Sequence, residues 1–323
     1  MTASITGAEH KESALVVKSR ALSRGSEVAI FAPASPADES RVRQGLAELR
    51  SLGFVPRDSF AREAQGYFSA TADSRFHHFS ALLSDANVAA LFALRGGYGS
   101  NYLLERLWMN PPSDAKCLIG YSDVTSLQVL LWQKLGWVSF YGPMAAAGLD
   151  AGVNAANGYE KTSLETALFG SSSRWKVNLG GEALLRGTAE GVVLGGCLTL
   201  IETTLGTPWE LDTAGSIFLL EDRGMKPWQI DRALMHLKQA GKFAGVRAVV
   251  LGEFPGCEPP VTGSPAARDV CERILKPLGV PIVFGAAVGH TPRPMLTVPL
   301  GIHAKLTAEG IGTLEFLETA VIP

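Results

Sequence analysis

The sequence has few cysteines, and no two of them stand close together. Cys117, Cys197, Cys257 and Cys271 are scattered over 323 residues. The absence of a CxxC pair argues against a zinc ribbon or a thioredoxin-type site. Dispersed thiols in a chain of this length are typical of reduced compartments rather than of secreted disulfide scaffolds. We therefore expect a cytoplasmic protein with free, mostly buried cysteines.

A strong charge of either sign and a long apolar run are also missing. The chain has 29 basic and 31 acidic residues, which argues against a broad cationic face for nucleic acid. The first twenty residues contain no apolar stretch longer than residues 14–17, whereas a signal peptide needs about 7–15 apolar residues and a membrane helix about 20. We expect no nucleic-acid partner, no membrane partner and a flexible leader over residues 1–17.

Motifs for metals and nucleotide cofactors are absent as well. There is no HExxH and no paired His/Cys spacing, so we expect no metal. The glycine-rich segment 96–99 does not complete a dinucleotide GxGxxG, because Tyr102 stands at the last glycine position. The Walker pattern GxxxxGK[ST] is missing too. The sequence gives no reason to expect a cofactor.

Short apolar strands alternate with helical patterns in the first half of the chain. Residues 88–94 (VAALFAL) are uniformly apolar, which is typical of a strand buried in a parallel sheet. Thr71 is placed to cap a helix that continues to Leu83. After Pro294 the chain has short apolar runs with turns and no helix signal. The predicted fold class is α/β, with an N-terminal parallel-sheet α/β domain and a smaller C-terminal mixed, β-rich domain.

A polar, glycine-rich segment divides the chain. Residues 171–183 follow an amphipathic helical pattern at 161–168 and are predicted as a linker. They separate an N-terminal domain, 18–170, from a C-terminal domain, 184–323.

Gly120-Tyr121-Ser122-Asp123 lies between an apolar strand and a helical pattern. A serine at such a turn would project its hydroxyl from the sheet edge, and the N–H of Asp123 would point into the same space. This arrangement supplies a nucleophile and half an oxyanion hole. The match to GxSxG is incomplete, because Val124 replaces the last glycine. The alternative is that Ser122 or Asp123 only caps the helix.

Gly96-Gly97-Tyr98-Gly99 follows the buried strand 88–94. Glycines let the backbone approach a ligand and expose its N–H groups. This loop would then supply the other half of an oxyanion hole. A phosphate cradle and a simple tight turn remain the alternatives.

A serine nucleophile needs a base, and the base needs an orienting carboxylate. His290 stands out among the six histidines, because it follows an apolar strand and is bracketed by Gly289 and by Thr291-Pro292. Glu221 and Asp222 close the apolar strand 217–220, and either carboxylate is able to orient His290. The alternative is that both merely begin the next turn.

Taken together, several segments resemble the LD-carboxypeptidase family of serine peptidases. The matching segments are collinear and extend from about Lys18 to His290. They are Ala32-Pro33-Ala34-Ser35, Tyr67 to Arg75, Arg95-Gly96-Gly97-Tyr98-Gly99, Gly120-Tyr121-Ser122-Asp123, Tyr141-Gly142-Pro143-Met144, Gly195-Gly196, Leu205-Gly206-Thr207-Pro208, Leu220-Glu221-Asp222, Ile230-Asp231-Arg232, Leu251-Gly252-Glu253-Phe254 and Gly289-His290. Each motif is weak alone, but the ordered set is specific.

The resemblance implies a triad of Ser122 as nucleophile, His290 as general base and acid, and Glu221 as the orienting carboxylate. It also implies an oxyanion hole from the backbone N–H groups of Gly97 and Asp123, and a site between two domains. Members of the family are commonly cytoplasmic homodimers that need no metal.

The implied reaction is hydrolysis of the amide bond to a C-terminal D-amino acid of a murein tetrapeptide, a step in cell-wall recycling. A small peptide is thus the expected substrate. Arg95, Tyr98 and Arg223 are the candidate substrate contacts, and Arg293 is a further candidate for the terminal carboxylate. Arg232 is interpreted as a structural residue of a helix.

Two other functions remain open on this fold. One is a peptidase that gives immunity to antibiotics of the microcin C type by cleaving an aminoacyl-nucleotide. The other is a non-catalytic binding protein. One departure from the family stands out: where its members usually have Gly-Gly-Asn-Leu, this chain has Gly195-Gly196-Cys197-Leu198.

Overall fold

A computed structural model describes residues 15–323. Strands and helices alternate through its first half. They are β1 (Glu27–Phe31), α1 (Glu39–Ser51), β2 (Val55–Arg57), α2 (Ala72–Ser84), β3 (Ala90–Ala93), α3 (Asn101–Met109), β4 (Cys117–Gly120), α4 (Thr125–Leu135), β5 (Ser139–Tyr141) and α5 (Lys161–Phe169). Thr71 caps α2 as the sequence predicts, since its hydroxyl accepts the N–H of Ser74 at 3.1 Å.

Strands predominate in the second half. The elements are β6 (Trp175–Leu185), β7 (Gly187–Cys197), α6 (Leu198–Glu202), β8 (Ser216–Glu221), α7 (Pro227–Gln239), β9 (Ala248–Gly252), α8 (Ala267–Leu275), β10 (Ile282–Ala286), β11 (Val298–Leu300), β12 (His303–Ala308) and β13 (Ile311–Phe316), with short 3₁₀ segments at Ser122–Val124, Leu149–Ala151 and Lys276–Leu278. Within residues 15–323 no helix has the length and apolarity that a membrane crossing requires.

The first sheet has six strands in the order β11-β5-β4-β3-β1-β2. Its first five strands in chain order pair in parallel, and β11 pairs antiparallel with β5. Every residue of β3 and β4 is buried, because helices cover both faces of a parallel sheet. The carboxyl ends of β3, β4 and β5 therefore lie together at one edge, where loops are free to build a site.

The remaining seven strands close into a barrel in the order β10-β6-β13-β12-β7-β8-β9. The strands β7, β8, β9 and β10 run parallel, and the other pairings are antiparallel. Closure leaves no unpaired strand edge. The predicted fold class, an α/β domain with a β-rich C-terminal domain, is thus confirmed.

The segment predicted as a linker, 171–183, is largely a strand. β6 starts at Trp175, and its inward-facing residues Val177 and Leu179 are buried while the residues between them are exposed. Ser171 to Arg174 precede this strand, and Lys176, Asn178 and Glu182 form its exposed face.

Residues 1–14 of the predicted leader, 1–17, lie outside the described part of the chain. The last residue of this leader, Val17, is bonded into the fold, because its N–H donates to the carbonyl of Gly136 at 2.8 Å and its carbonyl accepts from Val138 at 2.9 Å. Val17, which the sequence analysis places in the leader, is therefore part of the fold.

Candidate active site

Ser122 lies at a strained turn between β4 and α4. Its φ is +62°, in the left-handed region that residues other than glycine seldom adopt and that is concentrated at functional sites. No side-chain hydrogen bond caps the 3₁₀ segment at Ser122–Val124 or α4. The carboxylate of Asp123 instead accepts the N–H of Ser100 at 2.8 Å. Neither Ser122 nor Asp123 therefore caps the helix through its side chain.

The glycine loop after β3 packs directly against Ser122. A Cβ on Gly96 would lie 2.8 Å from the Ser122 Oγ and 3.4 Å from the Asp123 nitrogen, and a Cβ on Gly97, whose φ is +111°, would lie 2.3 Å from the Ser35 Oγ. Among the bonds of residues 15–323, neither the N–H of Gly97 nor that of Asp123 has an acceptor. Two unused backbone donors therefore lie in the segments that surround the serine hydroxyl.

Buried Arg75 holds this loop against two others. Its guanidinium donates to the carbonyl of Gly99 at 2.8 Å, to that of Ala70 at 3.1 Å and to that of Pro33. Burial lowers the pKa of Arg75, while the charge of Asp123 opposes this change. Burial also raises the pKa of Asp123. Sequence reasoning did not assign a role to Arg75, although a lone arginine in a matched segment was an available signal.

Glu221 and His290 form a buried pair at the carboxyl ends of β8 and β10. The Glu221 Oε2 accepts both the backbone N–H of His290 and its Nδ1–H, each at 2.8 Å. Burial alone would raise the pKa of Glu221, but the charge of His290 and the hydrogen bonds from His290 and Tyr141 outweigh it, so this pKa lies below its usual value. An ionised Glu221 places the histidine proton on Nδ1 and leaves Nε2 free to accept a proton.

Aromatic residues enclose this pair. The Tyr121 ring packs edge-on against the His290 ring with centroids 5.1 Å apart. The Tyr141 hydroxyl donates to the Glu221 Oε1 at 2.5 Å. The sequence analysis assigns no role to either tyrosine, although both lie in segments that match the family.

Asp222, beside Glu221, has a different environment. Its Oδ2 accepts the N–H and the hydroxyl of Thr199 at 2.8 and 2.7 Å, and the Cys197 thiol at 3.5 Å. Burial raises the pKa of Asp222, and the charge of Glu221 adds to this effect. His290 is hydrogen-bonded to Glu221 and not to Asp222 among the bonds of residues 15–323. The part of the chain that the structure describes holds no group of three His, Cys, Asp or Glu side chains suited to a metal ion.

A cavity of about 850 Å³ lies between the turn that carries Ser122 and the loop that carries His290. Ser122, His290, Gly96, Gly97 and Asp222 line it, together with three arginines, Arg41, Arg95 and Arg223. Arg41, which sequence reasoning missed, bonds to Asp150 at 2.6 Å.

Two candidate substrate contacts lie outside this lining. The ring of Tyr98, which is 42% exposed, packs against Tyr67, Phe68 and Tyr102. Arg293 donates to Glu253 at 2.9 Å and to the carbonyls of Gly180 and Gly285. Through these hydrogen bonds Arg293 connects the loop that carries His290 to Glu253 and to strands β6 and β10. Arg232 lies over the ring of Trp228 on α7, 5.2 Å from its centroid.

The cavity thus brings together a hydroxyl at a strained turn, a histidine oriented by a buried carboxylate, and free backbone N–H groups. These groups, contributed by both halves of the chain, are those that nucleophilic acyl transfer requires.

Solved structures have the same fold. The microcin C7 self-immunity protein MccF in complex with glutamyl sulfamoyl guanosine superposes with a TM-score of 0.82, covering 94% of this chain and 99% of that one at 22% identity. A muramoyltetrapeptide carboxypeptidase from Oxalobacter formigenes superposes with a TM-score of 0.78, covering 91% and 99% of the two chains at 25% identity.

Sequence comparison identifies the family. A Streptomyces coelicolor protein named "Putative carboxypeptidase SCO6489" is 35% identical over 93% of this chain and 96% of its own length. A Bacillus subtilis protein named "Probable murein peptide carboxypeptidase" is 31% identical over 92% and 94%. The LD-carboxypeptidase N-terminal domain matches residues 28–142 and the LD-carboxypeptidase C-terminal domain matches residues 190–306. The chain belongs to the LD-carboxypeptidase family.

Proposed function

We propose that this protein is a serine LD-carboxypeptidase that removes the C-terminal D-amino acid from a murein tetrapeptide during cell-wall recycling. The observation that carries the proposal is the buried Glu221–His290 pair, which opens onto the cavity that Ser122 enters from its strained turn. The names of the Bacillus and Oxalobacter relatives support the class of substrate.

In the proposed reaction, the Ser122 hydroxyl attacks the carbonyl carbon of the scissile amide while the Nε2 of His290 accepts its proton. The N–H groups of Gly97 and Asp123 bind the oxyanion that forms. The tetrahedral intermediate collapses to an acyl-enzyme as His290 donates its proton to the leaving amine of the D-amino acid. Water, activated by His290, then hydrolyses the ester and regenerates Ser122. Glu221 stays ionised and stabilises the imidazolium.

The arginines of the cavity suit a substrate that ends in a carboxylate. Arg95 and Arg223 line the space around Ser122 and His290, and a guanidinium is able to bind a carboxylate through two parallel hydrogen bonds. Arg293 is already bonded to Glu253, so Arg95 and Arg223 are the better candidates.

We also propose that the protein works as a homodimer in the cytoplasm. Size-exclusion chromatography with light scattering measures the molar mass and so tests the dimer.

The direct test is product identification by mass spectrometry. Purified protein is incubated with a defined tetrapeptide that ends in an L-centre followed by D-alanine, and with its all-L counterpart as the control. We expect release of D-alanine from the first peptide alone. Equal cleavage of both peptides would contradict the stereochemical specificity.

A microcin-type immunity peptidase is the second candidate. The Escherichia coli protein named "Microcin C7 self-immunity protein MccF" is 26% identical over 88% of this chain and 91% of its own length. An aminoacyl sulfamoyl adenylate forms the second arm of the same assay. Cleavage of the adenylate alone would replace the murein peptide as the proposed substrate, and binding without cleavage of either compound would favour a non-catalytic protein.

A further inference from the structure

We propose that Tyr141 is a positioning residue of this site, whose hydroxyl connects the carboxylate of Glu221 to the backbone of Ser122. The proposal rests on the proposed function, in which Ser122 is the nucleophile and Glu221 orients the base. Tyr141 belongs to β5 of the parallel sheet, whereas Glu221 ends β8 of the barrel. Its hydroxyl therefore joins the two halves of the chain at the reacting groups.

The two oxygens of Glu221 are divided between two partners. Oε2 accepts both hydrogen bonds from His290, and Oε1 accepts only the Tyr141 hydroxyl among the bonds of residues 15–323. Glu221 is completely buried, and a buried carboxylate oxygen without a donor is costly. Tyr141 thus fixes the plane of the carboxylate, and through it the ring of His290.

The same hydroxyl also accepts a hydrogen bond from the nucleophile's backbone. The N–H of Ser122 lies 3.4 Å from the Tyr141 oxygen. An ionised carboxylate cannot donate, so the Tyr141 proton points at Glu221 and the hydroxyl lone pairs are left for Ser122. A residue at φ +62° persists only where its surroundings hold it, and this bond is one such restraint on the turn.

Tyr141 is itself held rigidly. Its backbone is paired with Gly120 of β4 on one side and Val298 of β11 on the other. Its ring is fully buried, and a Cβ on Gly196 would lie 3.1 Å from its Cε2. Burial, reinforced by the charge of Glu221, raises the pKa of Tyr141 well above its usual value. The phenol therefore remains a neutral donor over the working pH range.

The hydrogen bond also has an electrostatic consequence. It stabilises the ionised form of Glu221 and is one of the interactions that lower the pKa of this residue. The titratable groups facing Glu221 from the surrounding elements are Tyr121 after β4, Tyr141 on β5, Cys197 on β7, Asp222 after β8 and His290 after β10. Removing the donor makes the Glu221–His290 pair bind a proton more readily. Activity is then lost at a higher pH on acidification.

The test compares Tyr141→Phe with Tyr159→Phe, a matched control. Tyr159 is also fully buried, but its hydroxyl donates to Glu48 at 2.6 Å, and neither of these residues lines the cavity. For Tyr141→Phe we expect kcat to fall about tenfold to a hundredfold, the size of one hydrogen bond to a charged group, with KM changed less than about twofold. We expect the acid limb of kcat/KM to move upward by about one pH unit. Tyr159→Phe should change neither.

A second substitution changes the hydrogen bond in the opposite sense and retains the shape of the ring. A fluorinated tyrosine at position 141 is a stronger donor, so the acid limb should move to lower pH. It also tests the proposal if Tyr141→Phe does not fold, which its melting temperature reports. If the acid limb of the kcat/KM pH profile is the same as in the wild type for either folded variant, the proposed role of Tyr141 is wrong.

Ser122→Ala, assayed in parallel, separates the two proposals. If it is inactive while Tyr141→Phe matches the wild type in kcat and pH profile, the triad stands and the positioning role is wrong. If Ser122→Ala hydrolyses the tetrapeptide at the wild-type rate, the proposed function itself is wrong.

Discussion

The two halves of the site are built in different ways. The half on the parallel sheet depends on backbone geometry, with a serine at φ +62° and glycines that leave no room for a Cβ. The half on the barrel depends on side chains, with a buried carboxylate held by a histidine and a tyrosine. Added atoms should therefore damage the first half, whereas a lost charge or hydrogen bond should damage the second.

Within the barrel half, two neighbouring carboxylates behave in opposite ways. Burial acts on both, yet the pKa of Glu221 lies below its usual value and that of Asp222 lies above. Glu221 has His290 as its partner, whereas Asp222 accepts from neutral donors and is repelled by Glu221. The charge of the partner, more than the depth of burial, decides which carboxylate is ionised most readily.

The largest expected effect is on the sheet half, where Ser122→Ala removes the proposed nucleophile. We expect kcat/KM to fall by about 10³-fold or more, since losing a triad nucleophile has effects of this size. The measurement is the rate of D-alanine release from the tetrapeptide. Ser126→Ala, one turn further along and buried, is the control and should retain activity. A wild-type rate in Ser122→Ala would remove the serine from the mechanism.

An added methyl group tests the backbone geometry of the same half. In Gly96→Ala the new Cβ would lie 2.8 Å from the Ser122 Oγ, so it should displace the nucleophile and lower kcat about a hundredfold. Gly25→Ala is the control for backbone strain, because its Cβ would meet nothing within 4 Å but its φ of +88° disfavours alanine, so it should cost stability and leave kcat unchanged. Equal kinetics in the two variants would show that the close approach of the loop is not required.

The pH dependence of stability tests the charge in the barrel half. Glu221 has a pKa below its usual 4.5 in the folded chain, so its stabilising contribution is complete above about pH 4.5 and is lost as the pH falls through the lower native value. Glu221→Gln lacks this contribution. We expect the wild type to melt a few degrees higher than the variant at neutral pH and the gap to close in acid.

Melting curves from pH 7 to pH 3 measure that gap. A difference between wild type and Glu221→Gln that stays constant over this range would mean that Glu221 is not ionised in the folded protein.

The smallest expected effect concerns Cys197, which lies between the two halves. Its N–H donates to the Thr125 hydroxyl at 3.1 Å, and burial, with the charges of Asp222 and Glu221, raises the pKa of its thiol well above the usual 9.0. Because the thiolate is the reactive form, we expect iodoacetamide at pH 8 to label Cys197 slowly and to leave activity nearly unchanged. Peptide mapping measures the labelling, with urea-unfolded protein as the control. Rapid labelling of the native thiol would contradict its burial.

Much of the architecture follows from local sequence patterns. The run 88–94 indicated a buried strand, and Thr71 indicated the start of a helix; both are observed. The error at 171–183 has a physical cause. β6 alternates buried and exposed residues, and a strand with a polar outer face and two glycines looks like a linker when its inner face has no visible partner.

The site was predictable only in part. His290 was identified because glycine and proline bracket it, and Glu221 because it closes an apolar strand. Only in three dimensions is it visible that His290 bonds to Glu221 and not to Asp222, which follows the end of the strand and points elsewhere. Tyr98 and Arg293 were expected at the substrate, but the structure places Tyr98 in an aromatic cluster and Arg293 on Glu253. Side-chain direction in loops has no local signature.

By itself, the sequence determined the alternation of strands and helices, the family and the residue types able to carry the chemistry, because these depend on local propensity and on ordered motifs. The return of β11 from the second half to pair with β5 is visible only in three dimensions. The same is true of the position of Tyr141 between Glu221 and Ser122, which lie 80 and 19 positions away from it in the sequence. Such contacts depend on how strands from distant parts of the chain lie side by side, and no local pattern encodes that arrangement.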